Sequence, residues 1–158
     1  MAFDKRDFRS ALGAFATGVT VVTTRSEDGT LNGLTANSFS SVSLEPPLIL
    51  FCIDKSANAY KAFMKNENFA INILSEEQQA ISNAFAFEED RWSKVQTRTM
   101  ETGAPVIDGS LASFDCEVFK RVEAGDHVIM IGEVKSYEKA EAGSPLLYAK
   151  GGYASLAS

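Results

Sequence analysis

Between Gly33 and Tyr60 the chain gathers side chains suited to a flat, hydrogen-bonding ligand that ends in an anion. Thr35-Ala36-Asn37-Ser38 places hydroxyl and amide groups on a backbone with little side-chain bulk. A planar ring can approach such a main chain closely and still meet directional donors and acceptors. Ser40 and Ser41 extend the hydroxyl run. They can serve a ligand or bond their own main chain, as short polar side chains do in loops. Cys52 stands in the apolar run Leu48 to Ile53. Lys55, Ser56 and Asn58 then open what reads as a helix. The first N–H groups of a helix lack partners within it and can receive a phosphate, although the same residues are also ordinary caps. Read on composition alone, Thr35 to Ser38 is more simply a polar loop.

Outside this stretch the candidates are fewer. His127 is the only histidine and sits in Gly125-Asp126-His127 at a strand start, where a histidine is commonly a surface or hydrogen-bonded residue. Tyr148 and Tyr153 flank Gly151-Gly152, either as aromatics packed under a flexible loop or as a cover over a ligand. Phe87 can stack on a ring and Arg91 can pair with a phosphate. No G-x-G-x-x-G follows a strand, no Walker A loop or G-x-S-x-G elbow occurs, and no residues fall at metal-ligand spacing. No metal is expected.

The elements that position these residues read as mainly β. Asp4 caps a first helix whose apolar face is Phe8, Leu12 and Phe15, ended by Gly18. Val19 to Thr24 is a β-branched strand; Asp28-Gly29 turns it back into a second strand, Leu31 to Ala36. A loop spans Asn37 to Ser41. Leu48 to Ile53 is a buried strand entered through Pro46-Pro47, followed by a helix from Ala57 to Lys65. Phe69 to Leu74 is a strand, and Ser75-Glu76-Glu77-Gln78 is a capping box for a helix to about Phe85. Phe87 to Thr99, with the lone Trp92, reads as a mobile loop. Ser110 to Val122 alternates, with Phe114, Cys116 and Val118 on one face and Asp115, Glu117 and Phe119 on the other. His127 to Glu138 is a long strand whose Gly132 marks a bulge or a close backbone approach. The stretch from Pro145 to Leu156 is a glycine- and tyrosine-rich loop. Six or seven strands joined mostly by turns fit a closed antiparallel barrel rather than βα units.

At 158 residues and 45% hydrophobic content, one domain over residues 1–158 can bury a sizeable core. The net charge of −6 argues against nucleic acid and, more weakly, against an anionic membrane surface. The two cysteines, Cys52 and Cys116, read as buried free thiols of a cytosolic protein. The first ten residues carry charge throughout, with no apolar leader, and no run approaches the roughly 18 apolar residues of a membrane span. A soluble cytoplasmic protein is expected.

Five segments, in this order, carry a family resemblance: Gly18-Val19-Thr20-Val21-Val22-Thr23-Thr24, Thr35-Ala36-Asn37-Ser38-Phe39, Ser43-Leu44-Glu45-Pro46-Pro47-Leu48, Gly125-Asp126-His127 and Pro145-Leu146-Leu147-Tyr148. From Phe8 to about Tyr153 the chain resembles the flavin reductases, the small NAD(P)H-dependent components of two-component flavin monooxygenases. The resemblance implies a split β-barrel of the FMN-binding type and a homodimer with flavin between the subunits. It implies that Thr35, Ala36, Asn37 and Ser38 contact the isoalloxazine ring and ribityl chain. Cys52 would face the ring edge as a small side chain, and Lys55, Ser56 and Asn58 would form the phosphate end. Backbone N–H groups at the ring would stabilise the charge of reduced flavin, as in an oxyanion site. His127 would position the nicotinamide, and the Tyr148–Tyr153 loop would cover it. Hydride then passes between cofactors, with the protein supplying alignment. FMN and FAD remain alternatives. NADH is favoured over NADPH because only Lys120 and Arg121 are basic near His127. Reduced flavin would diffuse to a separate oxygenase. A flavin-binding carrier or store without reductase turnover fits the Thr35–Asn58 stretch equally well.

Overall fold

The computed structural model describes residues 2–157. Helix α1 (Lys5–Leu12) starts at Asp4, whose carboxylate accepts the Arg6 and Asp7 N–H groups at 2.9 and 3.3 Å. Its end differs from expectation. The chain tightens after Leu12, and Thr17-Gly18 already pairs as a short strand, β1. The apolar stripe has the right spacing, yet Phe8, Leu12 and Phe15 are all exposed, because no layer of this chain packs on it.

Strands β2 (Thr20–Arg25) and β3 (Leu31–Ala36) form the expected hairpin, with Val22 opposite Leu34. The loop after β3 is shorter than expected: Ser40 and Ser41 belong to β4 (Ser40–Leu44), an edge strand paired with β5 (Pro47–Asp54). Next come α2 (Tyr60–Lys65), β6 (Asn68–Ile73), a 3-10 turn at Glu76–Gln78 and α3 (Gln79–Phe87). Ser75 and Gln78 form the expected capping box, with Gln78 Oε1 accepting the Ser75 N–H at 2.9 Å. The stretch from 87 to 99 is not the structureless loop that its polarity suggested. It holds a 3-10 turn at Trp92–Lys94 and strand β7 (Thr97–Thr99), which pairs with β8 (Pro105–Ile107). Trp92 meets the Phe85 ring edge-on at 4.9 Å, which pins the turn to α3.

Two thirteen-residue strands, β9 (Ala112–Ala124) and β10 (His127–Lys139), complete the main sheet. Asp115, assigned by alternation to the polar face of β9, is fully buried. Its carboxylate accepts the N–H groups of Glu101 and Thr102, both at 2.7 Å, and the Thr102 hydroxyl. A buried acid with that many donors is satisfied where an unpaired one would be costly. The glycine-rich stretch after Pro145 also proves structured: β11 (Leu147–Ala149) and β12 (Gly152–Ala154) form a hairpin against β1.

All pairings are antiparallel, and the seven-stranded sheet runs β3-β2-β6-β9-β10-β5-β4. One core cluster holds Val22 and Ala36 from one end of the sheet together with Ile49, Phe51 and Ile53 from the other. The sheet therefore curls onto itself, which fits a split barrel. Phe51, Phe63 and Phe69 meet edge-on or tilted at its centre, with centroids 5.3–6.5 Å apart. Burying each ring contributes about 2–3 kcal/mol. The pairing register shifts between Ile131 and Gly132, the bulge expected there. The same glycine lets the Phe69 ring approach: an added Cβ would lie 2.5 Å from Phe69 Cζ.

Candidate functional site

A cleft of about 210 Å³ opens between β3, α3 and the β11–β12 hairpin. Thr35, Ala36 and Asn37 form one wall, Ala86 and Phe87 another, and Tyr148 and Tyr153 a third. The structure thus brings together six of the residues singled out from sequence, drawn from three separate segments. Thr35 Oγ1 donates to the Ser82 carbonyl at 2.6 Å, which ties β3 to α3. Tyr153 Oη lies 2.7 Å from Ser82 Oγ and donates to Asn83 Oδ1 at 2.9 Å, which ties the hairpin to the same helix. The two tyrosine rings pack edge to face at 5.4 Å. Asn37 is exposed at the end of β3, and its side chain makes no hydrogen bond among the described residues.

Ser82, together with Ala86 and Val19, completes the lining and was missed by the sequence reading. Ser82 carried no signal of its own, since a serine inside an apolar helix reads as a tolerated core residue. The only pointer was its place in the helix that the Ser75 capping box starts.

The remaining candidates lie on a neighbouring surface. Along β5, Cys52 and Asp54 alternate with the buried Phe51 and Ile53, and they pair with Ile129 and His127 of β10. Ser38 joins this surface to the cleft wall: its hydroxyl accepts the Cys52 N–H at 2.9 Å and reaches the Cys52 carbonyl at 3.2 Å. Cys52 is half-buried rather than fully buried, and that partial burial pushes its thiol pKa up. Cys116 is buried, and burial raises its pKa far more. Neither thiol has the low-pKa setting of a nucleophile.

The helix expected at Ala57 begins only at Tyr60, and its six residues are too few for a terminal anion site. Before it, Asp54 Oδ1 accepts both the N–H and the hydroxyl of Ser56 at 2.7 Å. Those bonds hold the Asp54 carboxyl below its usual range. Asn58 is exposed in the turn that follows. Lys55 lies 3.5 Å from Glu123, so its charge is shared with a carboxylate. The backbone between Lys55 and Ala57 donates to Asp126 and Asp54, so a tight turn stands where a helix start was expected.

His127 opens β10 half-exposed, with Nδ1 2.8 Å from Asp126 Oδ1. That hydrogen bond, with the imidazole charge behind it, lowers the Asp126 pKa. Arg91 does not line the cleft. It donates to the Gly33 carbonyl at 2.8 Å and to the Glu88 carbonyl at 3.0 Å, and it sits 5.8 Å from the Phe85 ring centroid. Ser40 and Ser41 are exposed on β4, where Ser40 bonds the Ser41 carbonyl. No group of three metal-ligating side chains occurs among the described residues.

Residues 12–157 match the flavin reductase like domain. The chain belongs to that family. This flavin reductase-like chain is 49% identical over 152 residues to a probable flavin reductase of Rhizobium meliloti, covering 96% of this chain and 49% of that protein. It is 49% identical over 136 residues to the reductase component of the flavin-dependent trigonelline monooxygenase of Acinetobacter baylyi, covering 85% of this chain and 44% of that one. The chain spans about half the length of these two curated relatives. Among solved structures, the NADH:FAD oxidoreductase of Streptomyces globisporus, in complex with NAD and FAD fragments, superposes with a TM-score of 0.91 at 36% identity. That match covers 98% of this chain and 93% of the other. The mainly β, flavin reductase-like fold read from the sequence is therefore confirmed.

Proposed function

We propose that this chain, as a single domain over residues 1–158, is an NADH:flavin oxidoreductase that releases reduced FMN or FAD to a separate oxygenase. The observation that carries the proposal is the cleft. Small residues from β3 and α3, Phe87 at the end of α3, and Tyr148 and Tyr153 of the hairpin converge on one concavity of the kind a planar ring occupies. The residues present fit a flavin: Ala36 and Ala86 leave room for close approach, Phe87 and Tyr148 offer stacking faces, and the Asn37 amide has no competing partner among the described residues. Thr35, Ala36, Asn37 and Ser38 would hold it, with Cys52 beside the ring edge and the side chains of Lys55 and Asn58 toward its phosphate, since Ser56 is engaged by Asp54. Bound flavin would supply the two-electron acceptor for a nicotinamide donor.

The chain's own residues act on position. Ser38 fixes the irregular backbone after β3 against β5, which aims its N–H groups. Tyr153 and Thr35 hold the hairpin and β3 to α3, setting the width of the cleft. Asp126 orients the His127 ring beside it, and His127 aligns the nicotinamide. No acid or base is required, because the transferring groups belong to the two cofactors.

NADH in preference to NADPH, the homodimer and the cytoplasmic setting belong to the same reading. The neighbour named as an NADH:FAD oxidoreductase supports NADH, and the relative named as a monooxygenase reductase component supports the separate oxygenase. Exposed Phe3, Phe8, Leu12 and Phe15 along the α1 segment, and exposed Leu44 on β4, support a dimer, since exposed apolar surface is a usual mark of association. No helix among the described residues is long and apolar enough to cross a membrane.

His127→Ala tests the placement of the two cofactors. Flavin affinity, read by fluorescence, should hold, while the apparent KM for NADH rises by about tenfold, the loss of one hydrogen-bonding contact. Weakened flavin binding with unchanged NADH kinetics would contradict it.

A further inference from the structure

A second groove lies at the tip of the β11–β12 hairpin. It measures about 610 Å³ and is lined by Arg6, Arg9, Ser10 and Gly13 of the α1 segment and by Lys150 and Gly151 at the hairpin tip. On α1 these positions fall at i, i+3, i+4 and i+7, so one helix face supplies the wall. The two walls are joined where the Lys150 N–H donates to the Gly13 carbonyl at 2.7 Å. Lys150 and Gly151 both adopt positive φ, 51° and 77°, and form the tight turn that closes the groove.

The charge of this groove opposes that of the molecule. Within a chain of net charge −6, Arg6, Arg9 and Lys150 make no ion pair among the described residues. The Asp4 carboxylate on the same helix is engaged as its cap. The groove and the proposed site draw on the same β11–β12 hairpin. Lys150 stands two residues after Tyr148, and Tyr148 lines the cleft. Arg9 also adds, after the Ser56 hydrogen bonds and the His127 charge, to the interactions that hold the Asp54 carboxyl low.

We propose that this groove binds the adenosine diphosphate half of a dinucleotide whose ring end occupies the cleft. The inference rests on the flavin reductase reading and deepens it. A pyrophosphate carries adjacent negative charges, which two arginine forks and a lysine match in geometry and sign. FAD and the pyridine dinucleotides share this half, whereas FMN lacks it, so the groove would set how strongly the protein distinguishes FAD from FMN or how tightly it holds NADH.

The test uses ADP as the probe, by isothermal titration calorimetry, on the unmodified chain and on the Arg9→Gln/Lys150→Gln variant, with circular dichroism confirming that both are folded. The unmodified chain should bind ADP, and the variant should bind it at least about tenfold more weakly. FMN affinity should stay within about twofold, one contact's worth being larger than that. A weaker FAD dissociation constant with an unchanged KM for NADH assigns the groove to the flavin; the reverse assigns it to the nicotinamide donor. Absence of ADP binding by the unmodified chain at millimolar concentration, equal ADP binding by the two proteins, or equal losses for FMN and FAD would overturn the proposal. Calorimetry needs no turnover, so a failure of NADH oxidation would contradict the reductase reading while the groove is still tested.

Discussion

At the scale of single residues, Gly132 shows how a local choice fixes the core. Its missing side chain admits the Phe69 ring and Cys116, whose Cβ would lie 2.9 Å from an added methyl. Both neighbours are buried, and Phe69 is held by two other rings, so neither has room to yield. Gly132→Ala should therefore cost about 1–3 kcal/mol, the range of overpacking, read as a lower urea midpoint; an unchanged midpoint would show that the ring can move. This position was legible in the sequence, because a glycine inside a long strand announces a bulge or a close approach. Asp115 was not. Alternation assigns an acid to the solvent face, and only the fold brings the Glu101–Thr102 backbone round to satisfy it. His127 was legible as a candidate because it is unique, but its Asp126 partner is visible only as geometry.

At the scale of elements, the strands with β-branched or apolar runs could be read, and those without could not. Val19 to Thr24, Leu48 to Ile53 and the two long strands match β2, β5, β9 and β10 to within a few residues. Strand β4 was lost in its serines: an edge strand exposed along most of its length has no apolar alternation to display. The β11–β12 hairpin was hidden by its glycines, and β1 is held almost wholly by that hairpin. The helix start at Tyr60 was misplaced because Ser56 and Asn58 are good caps in sequence, whereas Asp54 takes the Ser56 N–H into a turn. The hairpin yields a prediction of its own. Tyr153→Phe removes the bonds to Ser82 and Asn83 and should weaken its docking by about 1 kcal/mol. Faster amide exchange over residues 147–154 and about fivefold weaker flavin binding are expected; slow exchange at the unmodified rate would mean that ring packing alone holds the hairpin.

At the scale of the whole molecule, the antiparallel architecture followed from strand count and turn chemistry, and the structural neighbours bear out the family fold. The cleft was only half legible. Thr35, Ala36 and Asn37 could be named from their small polar types, but their meeting with Phe87, Tyr148 and Tyr153 needs the curl of the sheet and the docking of α3. The proposed dimer would cover the exposed apolar stripe of α1. Light scattering on the purified chain should accordingly give twice its 17.1 kDa mass, and a monomer across the micromolar range would remove the dimer from the account.

The central claim is the reaction. The most direct measurement follows NADH oxidation by absorbance with purified protein and no flavin, with FMN, and with FAD, each repeated with NADPH. Turnover that depends on added flavin and favours NADH is the predicted result. Flavin binding without oxidation of either nucleotide would contradict the reductase and leave a flavin carrier in its place.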